Sequence, residues 1–167
     1  KLVEEEESRQ GHVGRPGKIV RLARSGVTLV GVVIGTRTCQ VVRGNLDGQV
    51  NPANRLQIPT GTSYPDLIEA IAEPIRAWRS SLDEEILGVG VSLPGLFDSR
   101  AARSIKSPNV PMTNGQYVGE DLQAALGHGL DVAILHECAG LALAEQLYGG
   151  ARGETNFAIV DITEGLG

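Results

Sequence analysis

In LHECAG (135–140) an apolar run delivers one carboxylate, Glu137, to the point where a strand gives way to a helix. DVAILH (131–136) reads as a buried strand from its apolar centre. Residues 139–148 are good helix formers and close on Gly149-Gly150, a helix stop. In open α/β sheets ligands sit outside the carboxyl ends of the strands. At that place Glu137 is a candidate ligand-binding residue or catalytic base, and equally a carboxylate that only caps its helix and favours the N-terminal dipole. His136 adjoins it. Asn109 lies in SPNVPMTNG, where Pro108 and Pro111 hold its amide stiffly. An amide both donates and accepts, so beside a carboxylate it suits vicinal hydroxyls; alone, the same residue serves an Asx turn. GVVIGTR (31–37) places a glycine turn, Gly35-Thr36-Arg37, between two strands, a geometry that brings backbone N–H groups close to a phosphate. Glycine is equally the default hairpin residue. In GVGVSLPG (88–95) alternate glycines allow close packing, and Pro94-Gly95 suits a turn whose N–H groups reach a ligand hydroxyl. No G-x-G-x-x-G opens a helix, and no Ser-His-Asp or Cys-His arrangement has recognisable local context.

The elements that must carry these residues follow from pattern. Val27–Ile34, Thr38–Asn45 and Gln49–Pro59 read as three antiparallel strands, with Asp47-Gly48 a strong hairpin signal. Residues 65–82 form a helix with Leu67, Ile71, Ile75, Trp78 and Leu82 on one face, and Pro74 inside it should kink it. Ile86–Ser92 is an apolar strand, 107–117 an irregular loop, 120–126 a short helix, and Asn156–Ile162 a last strand. The order is βββαβαβαβ, an α/β chain. With 167 residues and 41% hydrophobic content, it can bury one ordinary core. It ends at Thr163-Glu164-Gly165-Leu166-Gly167, a glycine turn with no element to receive it, which is expected of a truncated piece.

A formal net charge of −5 argues against whole-surface attraction to nucleic acid or anionic membrane. From Ser8 to Leu46, however, no acidic residue occurs, while Arg9, Arg15, Lys18, Arg21, Arg24, Arg37 and Arg43 are basic. That tract is either a phosphate-facing patch or a solvated basic face. Cys39 and Cys138 stand far apart without metal-ligand spacing, so no disulfide framework or zinc site is signalled and a reduced, cytoplasmic setting is expected. No apolar run approaches the ~20 residues of a spanning helix, and no membrane partner is expected.

Taken together, GRPGKIVRL after a polar lead, GVVIGTR, ILGVGVSLPGLFD, SPNVP, ILHECAGLALAEQLYGGARG and the closing EGLG resemble the ROK family, which contains sugar kinases and sugar-responsive transcriptional repressors. The resemblance implies the actin-like ATPase, ribonuclease H-like fold: a mixed five- to six-stranded sheet flanked by helices, the N-terminal half of a two-lobed protein. It implies that residues 1–24 are a linker or the end of an upstream winged helix-turn-helix, and that 25–167 are the N-terminal lobe. Glu137 matches the kinases' aspartate base; Asn109 and Pro94-Gly95 match sugar-contacting positions, with His136 beside them. Gly35, Thr36, Gly165 and Gly167 match the phosphate turns.

The departures point to the repressor branch. Where the kinases have an aspartate used with metal and nucleotide, this chain has Val33, and where they have Gly-Thr near the phosphates it has Thr163-Glu164. Two unit charges ~4 Å apart at an effective dielectric of ~20 repel by roughly 4 kcal/mol, so Glu164 would oppose a phosphate. Glu137 is one methylene longer than aspartate, and a displacement of ~1 Å can cost ~100-fold in rate. LVEEEESRQGHVGRP resembles the end of a repressor's wing. The expectation is a non-catalytic lobe that senses a sugar or sugar phosphate, meets DNA through an upstream domain and assembles as a homo-oligomer. The alternative is a divergent, glucokinase-like sugar kinase, with Glu137 as base and ATP with magnesium as cofactor. On the first reading this stretch needs no cofactor, and the family's zinc would belong to a later part of the protein.

Overall fold

A computed structural model describes residues 2–7, 18–23, 25–81 and 83–162. The elements run β1 (Val3–Glu7), β2 (Lys18–Leu22), β3 (Val27–Ile34), β4 (Thr38–Gly44), β5 (Val50–Pro59), α1 (Tyr64–Ser81), β6 (Glu85–Leu93), β7 (Leu96–Asp98), β8 (Arg103–Lys106), a 3₁₀ turn at Pro111–Thr113, α2 (Val118–Leu126), β9 (Asp131–His136) and α3 (Glu137–Tyr148). Five strands form the central sheet in the order β5-β4-β3-β6-β9. β3–β4 and β4–β5 are antiparallel, whereas β3–β6 and β6–β9 are parallel.

Alternation along the strands sorts their side chains. Val30, Val32 and Ile34 of β3 are buried, as are Val89, Val91 and Leu93 of β6, while Leu29 and Val33 on the opposite face of β3 are exposed. The buried set packs against α1 through Leu67, Ile71 and Ile75 and against α2 through Leu122 and Leu126. The expected apolar stripe of α1 is thus the core, and the helix keeps its assigned span across Pro74; Leu82 lies outside the described residues. The two helices are fastened at both ends. Tyr64 Oη donates to Asp121 Oδ2 at 2.6 Å, and burial, with Asp121 beside it, pushes the Tyr64 phenol well above its usual range. At the far end Arg76 donates to the Ala125 carbonyl (3.1 Å), and Arg79 to those of Leu126 (3.3 Å) and His128 (3.0 Å). Cations there complete the carbonyls that α2 leaves without helical partners.

Four parts of the chain depart from the reading of pattern. Residues expected as a polar lead form β1 and β2, an antiparallel pair that places Glu4 opposite Arg21 and brings Lys18 to Glu5. Cross-strand charge pairing, not apolar alternation, distinguishes this ribbon. β7 and β8 form a short hairpin after Pro94-Gly95 where no element was expected. α2 begins at Val118, two residues earlier than its acidic first turn suggested. The last expected strand, 156–162, has strand-like bridging at Ile162 only; an apolar run becomes a strand by pairing, and no ladder with the central sheet forms here.

Candidate functional site

The three parallel strands end level with one another: Val33 pairs in register with Ser92, Ser92 with Leu135, and Leu93 with His136. Each is followed directly by one of the features singled out above. A cleft of about 1070 Å³ lies there, lined among others by Gly35, Thr36, Arg37, Pro94, Gly95, Lys106, Asn109, His136 and Glu137. The structure therefore brings Glu137, Asn109, Gly95, His136, Gly35 and Thr36 to one cavity. Gly165 and Gly167, with Thr163 and Glu164, lie outside the described residues.

Glu137 is the first residue of α3, and the capping role falls to its neighbour. His136 is the N-cap, extended at φ −61° and ψ 143°, and its Nδ1 accepts from the Cys138 N–H at 3.2 Å. An accepting Nδ1 places the imidazole proton on Nε2. The Glu137 carboxylate has no hydrogen-bond or ion-pair partner among the described residues. It is half-buried beside the cleft and uncommitted, which removes the reading of Glu137 as a side-chain cap.

The wall opposite is built from loops that are pinned from behind. Gly95 has φ +98°, and an added Cβ would come within 2.5 Å of the Lys106 carbonyl oxygen and 2.6 Å of Ser107 Cα, so glycine alone fits against the β8 end. Buried Ser107 accepts the Val110 N–H on its Oγ (3.2 Å) and donates its own N–H to Asn114 Oδ1 (2.6 Å). Thr113 Oγ1 donates to the Val110 carbonyl at 2.8 Å. Asn109 sits within this bracket, exposed, and makes no side-chain hydrogen bond among the described residues, so it forms no Asx turn there. The loop backbone that carries it is held by Ser107 and Thr113 as well as by the flanking prolines.

At the end of β3, Val33 points its side chain to the cleft and is 48% exposed. The turn that follows is closed by Gly35 N–H donating to the Thr38 carbonyl at 3.2 Å; a Cβ on Gly35 would lie 2.8 Å from that oxygen. Sequence reasoning passed over Lys106, Ser92, Cys138 and Asp161, all of which line the cleft. Ser92 and Cys138 lie inside the two strand-end motifs without standing out in them, and Lys106 and Asp161 belong to no motif; the level strand ends bring all four together.

The basic tract between Ser8 and Leu46 does not form one face in its described part. Lys18 pairs with Glu5, Arg21 lies opposite Glu4, Arg37 faces the cleft, and Arg43 lies 4.9 Å from the Trp78 ring centroid with Nη2 donating to Asn54 at 2.9 Å. Among the described residues no group of three or more His, Cys, Asp or Glu side chains is placed to hold a metal, and no helix is long and apolar enough to cross a membrane.

Known proteins share this arrangement. The structure of a ROK family transcriptional regulator, a homologue of the E. coli MLC protein, superposes with a TM-score of 0.79 at 22% identity, covering 99% of this chain and 42% of its own. A ROK family glucokinase from Streptomyces griseus, solved with glucose and AMPPNP, superposes at 0.65 with 17% identity, covering 75% of this chain and 38% of that one. In sequence, a glucokinase of Streptomyces coelicolor is 25% identical over 138 residues, 83% of this chain and 41% of the relative. The chain thus spans about two fifths of the length of the proteins it resembles, corresponding to the N-terminal part of the actin-like fold. A putative xylose repressor of Caldicellulosiruptor sp. is 23% identical over 158 residues, 92% of this chain and 39% of the relative, and because residues 29–167 match the ROK family, the chain belongs to that family.

Proposed function

We propose that this chain is the sensing lobe of a ROK-type transcriptional regulator. It binds a sugar or sugar phosphate in the cleft between Glu137, Asn109 and Gly95 and adjusts the DNA affinity of an upstream domain, without transferring phosphate. The observation that carries the reading is Val33. Its apolar side chain occupies the cleft end of β3, where a kinase of this family places a carboxylate, and it offers no oxygen to a metal-bound nucleotide. The cleft end of β3 thus lacks the carboxylate that would help hold a magnesium nucleotide there. The β1–β2 ribbon supports the same reading: it has the form of a wing's end, and the regulator's structure covers nearly all of this chain where the S. griseus glucokinase's covers three quarters.

In this role Glu137 accepts from a sugar hydroxyl and Asn109 both donates and accepts. Bonds to a charged acceptor are the stronger kind, at ~1.5–3 kcal/mol each. The test is calorimetric titration of the full-length polypeptide with a panel of hexoses, pentoses and their phosphates, run beside a coupled ADP-release assay with ATP and magnesium. Saturable binding without sugar-dependent ADP release is expected; sugar-dependent ADP release at useful rates overturns the reading. The second reading, a divergent sugar kinase, is favoured by the uncommitted Glu137 carboxylate, which a general base requires. On that reading Glu137→Gln abolishes ADP release.

A further inference from the structure

Behind the wall that carries Gly35-Thr36-Arg37, one buried side chain holds the turn in shape. Thr60, the first residue after β5, is only 1% exposed and does not line the cleft. Its hydroxyl donates to the Gly35 carbonyl at 2.7 Å and its backbone N–H to the Arg37 carbonyl at 3.0 Å, so a single residue fastens both ends of the turn. The same hydroxyl oxygen lies 3.5 Å from Cys39 Sγ. Since its proton is committed to Gly35, the thiol is the donor of that pair. Burial holds the Cys39 thiol above its usual pKa, so a neutral S–H remains available to donate.

The sequence gives Thr60 no other evident task. A buried hydroxyl at a strand end is costly unless it is bonded, and both polar groups of this residue that can donate are spent on one turn. Peptide planarity makes the consequence directional: fixing the Gly35 carbonyl toward Thr60 turns the N–H of Thr36 away from it. The turn is therefore set by a contact 25 residues away in sequence.

We propose that Thr60 is a positioning residue for ligand recognition: from outside the cleft it holds the Gly35–Arg37 turn, which lines the same cleft as Glu137, in the conformation that the bound sugar or sugar phosphate meets. This rests on the sensing role proposed above. The test compares Thr60→Val, which keeps the shape and the backbone N–H but lacks the hydroxyl, with Thr60→Ser, which restores it. Both are made in the full-length polypeptide. Two readouts are taken: amide hydrogen exchange over residues 35–38, which needs no ligand, and the calorimetric Kd for whichever panel sugar the wild type binds. Thr60→Val should speed exchange at the turn and weaken binding roughly tenfold, and Thr60→Ser should return both to within about twofold of wild type. Unchanged exchange and Kd in Thr60→Val overturn the proposal while leaving the sensing role intact. A serine variant as weak as the valine one also overturns it, because the methyl and not the hydroxyl would then matter. If the wild type binds no sugar, the sensing role fails and takes this proposal with it. Should Thr60→Val not fold, Thr60→Cys, a weaker donor, should give an intermediate Kd; a wild-type Kd in that variant overturns the proposal.

Discussion

The two faces of the central sheet are made by the same strands and differ in almost every physical respect. On one, Val30, Val32, Ile34, Val91 and Leu93 meet α1 and α2 and lose contact with solvent. On the other, small residues dominate near the strand ends: Gly31, Gly90, Ser92 and Ala133 face Gly140 and Ala144 of α3, and the space they leave is the cleft. Larger side chains on that second face, Leu29, Val33 and Leu135, stay exposed, and α3 has no buried residue. The alternation of a strand thus divides labour: one parity of residues holds the lobe together, and the other leaves room for a ligand. Stability and recognition should be separable by choosing the parity of the residue changed.

The sharpest separation is expected from a pair of truncations. Ile71→Ala, in the buried stripe of α1, should cost about 3–4 kcal/mol of unfolding free energy by denaturant titration, against under about 1 kcal/mol for Leu135→Ala on the open face; similar costs would break the comparison. Gly95→Ala should destabilise by about 1–3 kcal/mol and also weaken sugar binding, because the φ of +98° and the Lys106 carbonyl both resist a Cβ. Its effect belongs to both faces at once, and calorimetry with thermal melting reads the two together. Glu137→Gln should leave the melting temperature within about 2 °C, since His136 caps α3, yet raise the sugar Kd by roughly ten- to a hundredfold. The smallest effect concerns pH. Tyr64 has a folded-state pKa raised above its ordinary value of 10.0. Its contribution is fully present below that value and is lost as pH rises through the higher folded pKa. Stability measured from pH 9 upward should therefore fall less steeply in Tyr64→Phe than in wild type.

Much of this was legible in the chain. β3 reads off to the residue because its apolar run is bounded by glycine on both sides, and the parallel strands were found from their apolar runs, although no residue of β9 is fully buried. Glu137, Asn109 and Gly95 stood out because each follows an identifiable strand or a proline-bracketed loop. What escaped the sequence depends on partners far along the chain. The polar lead shows no strand pattern until Arg21 is placed opposite Glu4 and Lys18 beside Glu5. The capping role of His136 depends on an imidazole rotamer. Nothing local shows that the Thr60 hydroxyl returns to Gly35. Strand 156–162 was over-read for the converse reason: apolar residues are necessary for a strand, but a neighbouring edge makes one.

The hydrogen bond from the Glu85 N–H to the Gly26 carbonyl, at 3.1 Å, joins the start of β6 to the segment that leads back to the β1–β2 ribbon. The other end of β6 runs into Pro94-Gly95. Nine residues of strand at about 3.3 Å each make a rod of roughly 30 Å, laddered on both sides and so resistant to stretching. The floor of the cleft and the footing of the ribbon are therefore two ends of that one rod, held about 30 Å apart by a single strand.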